Sequence, residues 1–207
     1  MRKIINLERF IKNKTIREWV EALIFAGIVA LIFRTWFYAP YRVPTGSMIH
    51  TIEKGDHLFV NKHAYGFVVP FTEKRFFRSK VERKDIVVFP YPEDPSVDFI
   101  KRVVAVGGDE IQILGEKIII NGEQEKAPYV YYDKNLSAMP ETFKVKVPAG
   151  KLWVMGDNRR NSKDSRYWGF VDEKTVEGKG VIIYWSHNPE DSLFSGYRFN
   201  RIASFLK

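Results

Sequence analysis

The spacing of apolar and polar positions changes once along this 207-residue chain. Residues 22–33 form an unbroken apolar run with a single glycine inside it. The wider stretch 19–38 makes about 30 Å of helix, the thickness of a bilayer's hydrocarbon core. Glu21 and Arg34 lie near its two ends, where long side chains reach the interface, and Trp36, Phe37 and Tyr38 add an aromatic belt. After Pro40 the helical period gives way to short β-rich runs bounded by Gly, Pro or Asp: 56–62, 85–89, 98–106, 110–114, 117–121, 144–147, 152–155 and 180–185. Asn121-Gly122 is a strong hairpin signal. Residues 123–141 are polar, contain Pro128 and Pro140, and predict a loop or extended excursion. No run of about 10–15 residues with helical period separates the strands. The pattern predicts a mainly β protein: one N-terminal transmembrane helix, then an antiparallel sheet or barrel.

Composition refines this picture. The chain has no cysteine, which excludes disulfides, a thiolate nucleophile and thiolate metal sites. The net charge of +8 suits anionic lipid or nucleic acid as a neighbour. Residues 1–18 hold six Lys/Arg (Arg2, Lys3, Arg9, Lys12, Lys14, Arg17) against two Glu. By the positive-inside rule the N-terminus is cytosolic and the β-rich part extracytoplasmic. A cleaved signal peptide and a buried core helix are the competing readings of the apolar run. The exit FYAPYRVP has no A-x-A pair of small residues and sets Pro40 directly after Ala39, which favours a retained anchor. The expected organisation is a basic segment 1–18, an anchor 19–38 and a catalytic domain 39–207. Residues 67–84 interleave aromatic and basic side chains. That pattern suits single-stranded nucleic acid, lipid headgroups beside an anchor, or a solvated hairpin with its aromatics in the core.

Ser47, in VPTGSM just past the apolar run, is the first candidate for chemistry. A serine nucleophile needs a base, usually a histidine oriented by a carboxylate. His50 is near in sequence, but no Asp or Glu is placed by sequence to orient it. His57 and His63 lack ligand-like spacing, so no metal site is expected. A lysine serves equally if burial lowers its pKa until the neutral amine exists near neutrality. In VDFIKRVVAV, alternation puts Phe99, Lys101, Val103 and Ala105 on one face, with Lys101 its only charge. Arg102 points the other way and does not deprotonate. A strand lysine that faces solvent is the plain alternative. Gly46 permits close backbone approach beside Ser47. The Thr45 hydroxyl and the Ser47 N–H can form an oxyanion hole, although Thr45 also suits a turn residue bonding its own backbone. The polar string 156–170 offers Asp157, Asn158, Ser162, Asp164 and Ser165 to orient an amine, with Arg159 and Arg166 to pair Asp164. Two arginines and a lysine argue against a Ca²⁺ loop there.

VPTGSM, DIVVF, FIKRVVAVGGD and MGDNRRNSKDSRYWGFV follow one another in the order and approximate spacing of the bacterial type I signal peptidases, which the chain resembles from about residue 19 to 185. The resemblance implies a membrane-anchored serine endopeptidase without cofactor or metal. It would remove signal peptides from exported preproteins after small, A-x-A-like residues, through a Ser–Lys dyad and an acyl-enzyme. It implies Ser47 as nucleophile, Lys101 as general base, Thr45 as oxyanion donor and Ser162 as the serine orienting the lysine. Asp164 and Arg166 resemble a supporting salt bridge, and Tyr41, Val43 and Ile100 line shallow pockets for the −1 and −3 side chains. The implied location is the bacterial cytoplasmic membrane, in contact with lipid and near the secretion translocon, with no nucleic-acid partner. The chain departs from the family pattern at His50, where proline is common, at Arg160, where an acid is common, and at Gly107-Gly108, where proline-glycine is common. A self-cleaving regulator with the same dyad and a non-catalytic anchored β-domain are the two other readings.

Overall fold

The structure is a computed structural model that describes residues 13–68, 75–76, 79–137, 142–192 and 194–207. The chain forms two compact units, Met1–Tyr38 and Ala39–Lys207.

The first unit contains helix α1 (Lys14–Trp36). Asn13 starts it: its side-chain oxygen accepts from the N–H groups of Thr15 and Ile16 at 3.0 and 3.3 Å, satisfying donors that have no partner within the helix. Lys14–Glu18 and Arg17–Glu21 pair one turn apart. The helix thus begins before the expected 19, because the cap and charged first turns extend it, and it ends before 38. Trp19, Leu23, Phe25 and Leu31 are exposed on it. No helix among the described residues is long and apolar enough by itself to cross a membrane. The basic residues before Asn13 and the side chains of Arg34 and Trp36 lie outside the described ones.

The second unit is β-rich. In chain order its strands are β1 (Tyr38–Arg42), β2 (Asp56–Asn61), β3 (Phe67–Val68), β4 (Arg75–Phe76), β5 (Ile86–Tyr91), β6 (Asp94–Val106), β7 (Glu110–Leu114), β8 (Lys117–Ile120), β9 (Glu123–Gln124), β10 (Thr142–Lys146), β11 (Lys151–Met155), β12 (Val171–Asp172), β13 (Gly178–Ser186) and β14 (Ser204–Phe205). The larger sheet runs β1-β2-β13-β5-β6-β11-β12, with β14 on β13; a smaller one runs β10-β7-β8-β9; β3 and β4 form a hairpin. Helix α2 (Ser165–Trp168) is a single turn. The eight predicted runs all appear as strands. Asn121 and Gly122 join β8 to β9 with φ of 52° and 86°, as a hairpin turn of positive φ at both positions requires. Within 123–141, only β9 is regular among the described residues. The β3–β4 pair fits the hairpin reading of residues 67–84, while 69–74 and 77–78 of that segment lie outside the described residues.

Alternation along the central strands builds the core. On β5, Val87 and Phe89 join one cluster with Val103, Leu152 and Val154, whereas Ile86 and Val88 face another with Val43, Met48 and Leu58. One expectation about β6 is corrected. Val154 pairs with Val103 and Trp153 with Ala105, so Val104 is an extra residue, a bulge. The bulge resets the alternation: Phe99 and Val103 share a cluster, but Ala105 packs with Val104, Trp153 and Met155 against the smaller sheet.

Candidate active site

Lys101 sits where β6 is covered on both faces. It is 3% exposed, pairs with Val87 on β5, and has the Phe99 ring 5.0 Å from its amine. Lys101 Nζ and Ser47 Oγ are hydrogen-bonded at 2.8 Å, and Nζ also donates to the Ile100 carbonyl at 2.9 Å. Burial lowers the amine to about 8, against a partial pull upward from Asp164 and Asp157. A solvent-facing lysine is thereby excluded.

Ser47 is 8% exposed and belongs to the turn after β1. The polar loop following β11 seats that turn through backbone contacts. Asn158 donates its N–H to the Ser47 carbonyl at 3.0 Å and its side-chain amide to the Gly46 carbonyl at 3.2 Å. Gly156 lies so close that a Cβ there would come within 2.5 Å of the Ser47 carbonyl oxygen and 2.3 Å of Ser162 Oγ. Only glycine fits. Ser162 is brought to this position buried, and its hydroxyl has no hydrogen-bond partner among the described residues. Asp164 accepts from the Gly156 N–H at 3.0 Å and is held by Arg166 through two bonds of 2.8 and 2.7 Å. The other expected partner, Arg159, pairs with Glu125 instead, at 2.9 and 3.1 Å, so of the two arginines it is Arg166 that pairs Asp164.

Beside the serine opens a cleft of about 300 Å³, whose lining includes Tyr41, Val43, Thr45, Ser47, Ile100 and Lys101. Thr45 is exposed on its wall. The side chains of Tyr41, Val43 and Ile100 also meet the cluster around Leu58 and Val88, which makes this wall apolar. The His50 ring meets Tyr131 edge-on at 4.5 Å, and its Nδ1 is 3.6 Å from Glu53. Arg160 bonds Glu116 and the carbonyls of Asp133 and Leu136, tying down the excursion after β9.

Sequence reasoning missed one component. Arg102, fully buried, makes a bidentate pair with Asp157 at 2.9 and 2.7 Å, and Thr51 donates to the same carboxylate at 2.6 Å. The available signal was an arginine amid a run of apolar residues. If both faces of that run are buried, its charge needs a buried partner. The pair fastens β6 to the loop carrying Gly156 and Asn158, one residue along from Lys101.

A hydroxyl bonded to a desolvated amine at the end of an apolar cleft can attack a carbonyl, which puts this β-domain in the class of serine–lysine hydrolases. Comparison with known proteins agrees. A family model described as "Signal peptidase, peptidase S26" matches residues 16–185. Signal peptidase I of Pseudomonas fluorescens is 33% identical, covering 95% of this chain and 82% of its own. Signal peptidase I of Bacillus licheniformis is 32% identical, covering 86% and 92% respectively. The crystal structure of a signal peptidase I from Enterococcus faecalis V583 is 31% identical over 49% of this chain and 97% of its own, with a TM-score of 0.41. The chain belongs to the signal peptidase family, peptidase S26.

Proposed function

We propose that this protein is a serine endopeptidase that removes N-terminal signal peptides from exported preproteins, with Ser47 as nucleophile and Lys101 as general base. The observation that carries this reading is the 2.8 Å bond between a buried amine and a serine hydroxyl at the cleft. The neutral Lys101 amine takes the hydroxyl proton as Ser47 Oγ attacks the carbonyl after a small residue. The tetrahedral oxyanion is met by the Ser47 N–H and the Thr45 hydroxyl. Lys101 then passes its proton to the leaving amine, and water hydrolyses the acyl-enzyme by the same route. The Asp164–Arg166 pair keeps in position the loop that carries Ser162, whose hydroxyl is the one the resemblance assigns to orienting the lysine. Tyr41, Val43 and Ile100 receive the small side chains at −1 and −3.

The reading includes a membrane setting: a single-pass anchor with a cytosolic N-terminus, lipid as neighbour, and preproteins met near the translocon on the outer face. The exposed apolar side chains of α1 and the basic residues before it support this part. Incubating detergent-solubilised protein with a preprotein tests the chemistry. Cleavage at the signal-peptide junction is expected from the wild type and none from Lys101→Ala; cleavage by a folded Ser47→Ala protein overturns the assignment.

A further inference from the structure

Tyr41 carries a polar contact that an apolar pocket wall does not require. Its hydroxyl donates to Glu177 Oε2 at 2.6 Å, and Asp98 lines the same cleft and adds its negative charge to the phenol's surroundings. Burial and these two carboxylates push the phenol well above its usual range, so it stays a neutral donor. The three residues come from different parts of the larger sheet. Tyr41 lies on β1, Asp98 on β6, and Glu177 immediately before β13, with its own N–H bonded to the Val88 carbonyl at 2.8 Å. The phenol therefore ties the edge strand β1 to the centre of the sheet, across a cleft that its ring helps to line.

Position along the chain says which part of a substrate meets this ring. Tyr41 and Val43 are two residues apart on the segment leading to Ser47, and Tyr41 is the farther from it. An extended substrate also repeats its side-chain direction every second residue, so its −1 and −3 side chains fall about 7 Å apart on one face. Val43 then borders the −1 side chain and Tyr41 the −3 side chain.

We propose that Glu177 is a specificity-determining residue: by holding the Tyr41 hydroxyl it fixes the phenol ring as the outer wall of the −3 pocket, which restricts that position to small side chains. The inference rests on the signal-peptide reading above. A ring released from its anchor turns about its side-chain torsions and vacates volume. Steric exclusion of this kind is sensitive, since one methylene in an enclosed pocket changes kcat/KM by about 10–200-fold. Glu177 acts through Tyr41 and touches no reacting atom.

The test compares kcat/KM for preprotein-derived peptides that differ only in alanine or leucine at −3, with a matched pair at −1. In Tyr41→Phe and Glu177→Leu, the preference for alanine over leucine at −3 is expected to fall about tenfold, with the −1 preference unmoved. Glu177→Gln keeps an amide oxygen that accepts the hydroxyl, and should restore the wild-type preference. Unchanged −3 preference in Glu177→Leu, or a loss in Glu177→Gln as deep as in Glu177→Leu, overturns the clamp; the second result assigns the effect to charge. Melting temperatures check that each variant folds. If Glu177→Leu does not, Tyr41→Phe against Glu177→Gln decides the same question. A wild type that cleaves none of the peptides sinks the signal-peptide reading, an outcome distinct from cleavage with an unaltered −3 preference.

Discussion

At the residue scale, two adjacent cations on β6 meet opposite fates. Lys101 is desolvated beside a hydroxyl and gives up its proton readily, while Arg102 on the other face keeps its charge against Asp157. Lysine is the residue that permits this, since a guanidinium does not deprotonate in a protein. Lys101→Arg should therefore be as inactive as Lys101→Ala in a preprotein cleavage assay. The wild-type kcat/KM should climb with pH through an apparent pKa of about 8. Stability follows the same group. Between about 8 and 10.5 the unfolded chain holds the Lys101 proton and the folded chain does not, so stability rises with pH across that window. Urea denaturation of wild type against Lys101→Met reads it, the rise being absent in the variant. Thr45→Ala should lose about 10²–10³ in kcat, the usual effect of removing one oxyanion donor. Lys101 was only half legible in the sequence: alternation put it on an apolar face, but burial of both faces, which lowers its pKa, depends on the Ser47 turn and the loop after β11, both distant in sequence.

At the element scale, the loop after β11 decides whether the serine is usable. Gly156 lets its backbone approach the Ser47 carbonyl, and Asn158 clasps the turn from the same side. Adding one methyl at Gly156 forces these segments apart. A shift of about 1 Å at a reacting centre costs on the order of 100-fold. Gly156→Ala should thus cut kcat by about that factor while preserving the far-UV spectrum of the fold. Asp157→Ala removes the partner of a fully buried guanidinium and should cost about 3–5 kcal/mol in chemical denaturation. His50→Ala, by contrast, should keep most activity, because its imidazole meets Tyr131 and Glu53. The elements were legible wherever a period of two ran for four residues or more. Two-residue strands such as β12 and β14 carry no period, and the bulge at Val104 leaves no mark in the run of valines around it.

At the scale of the whole molecule, the chain forms two compact units, the first holding α1 and the second the β-sheets. The antiparallel class followed from strand frequency, whereas the split into two sheets did not, because strand order depends on long-range pairing. The anchor reading makes its own prediction. After alkaline carbonate washing of cells producing the full chain, the protein should stay with the membrane pellet. Protease added outside spheroplasts should digest residues beyond 38 and spare an N-terminal tag. Release by carbonate overturns the anchor without touching the Ser47–Lys101 chemistry.

The seating of Ser47 also bears on when this enzyme becomes dangerous to its neighbours. The serine emerges during synthesis 54 residues before its base and more than a hundred before the asparagine that grips Gly46. Neither the hydroxyl nor the amine meets the other until the sheet has closed through β6, and the turn is not seated until the loop after β11 is laid across it. A half-made chain therefore carries every atom of the nucleophile but no proteolytic power. The appearance of cleavage is a late clock for folding, set by contacts between parts of the domain far apart in sequence.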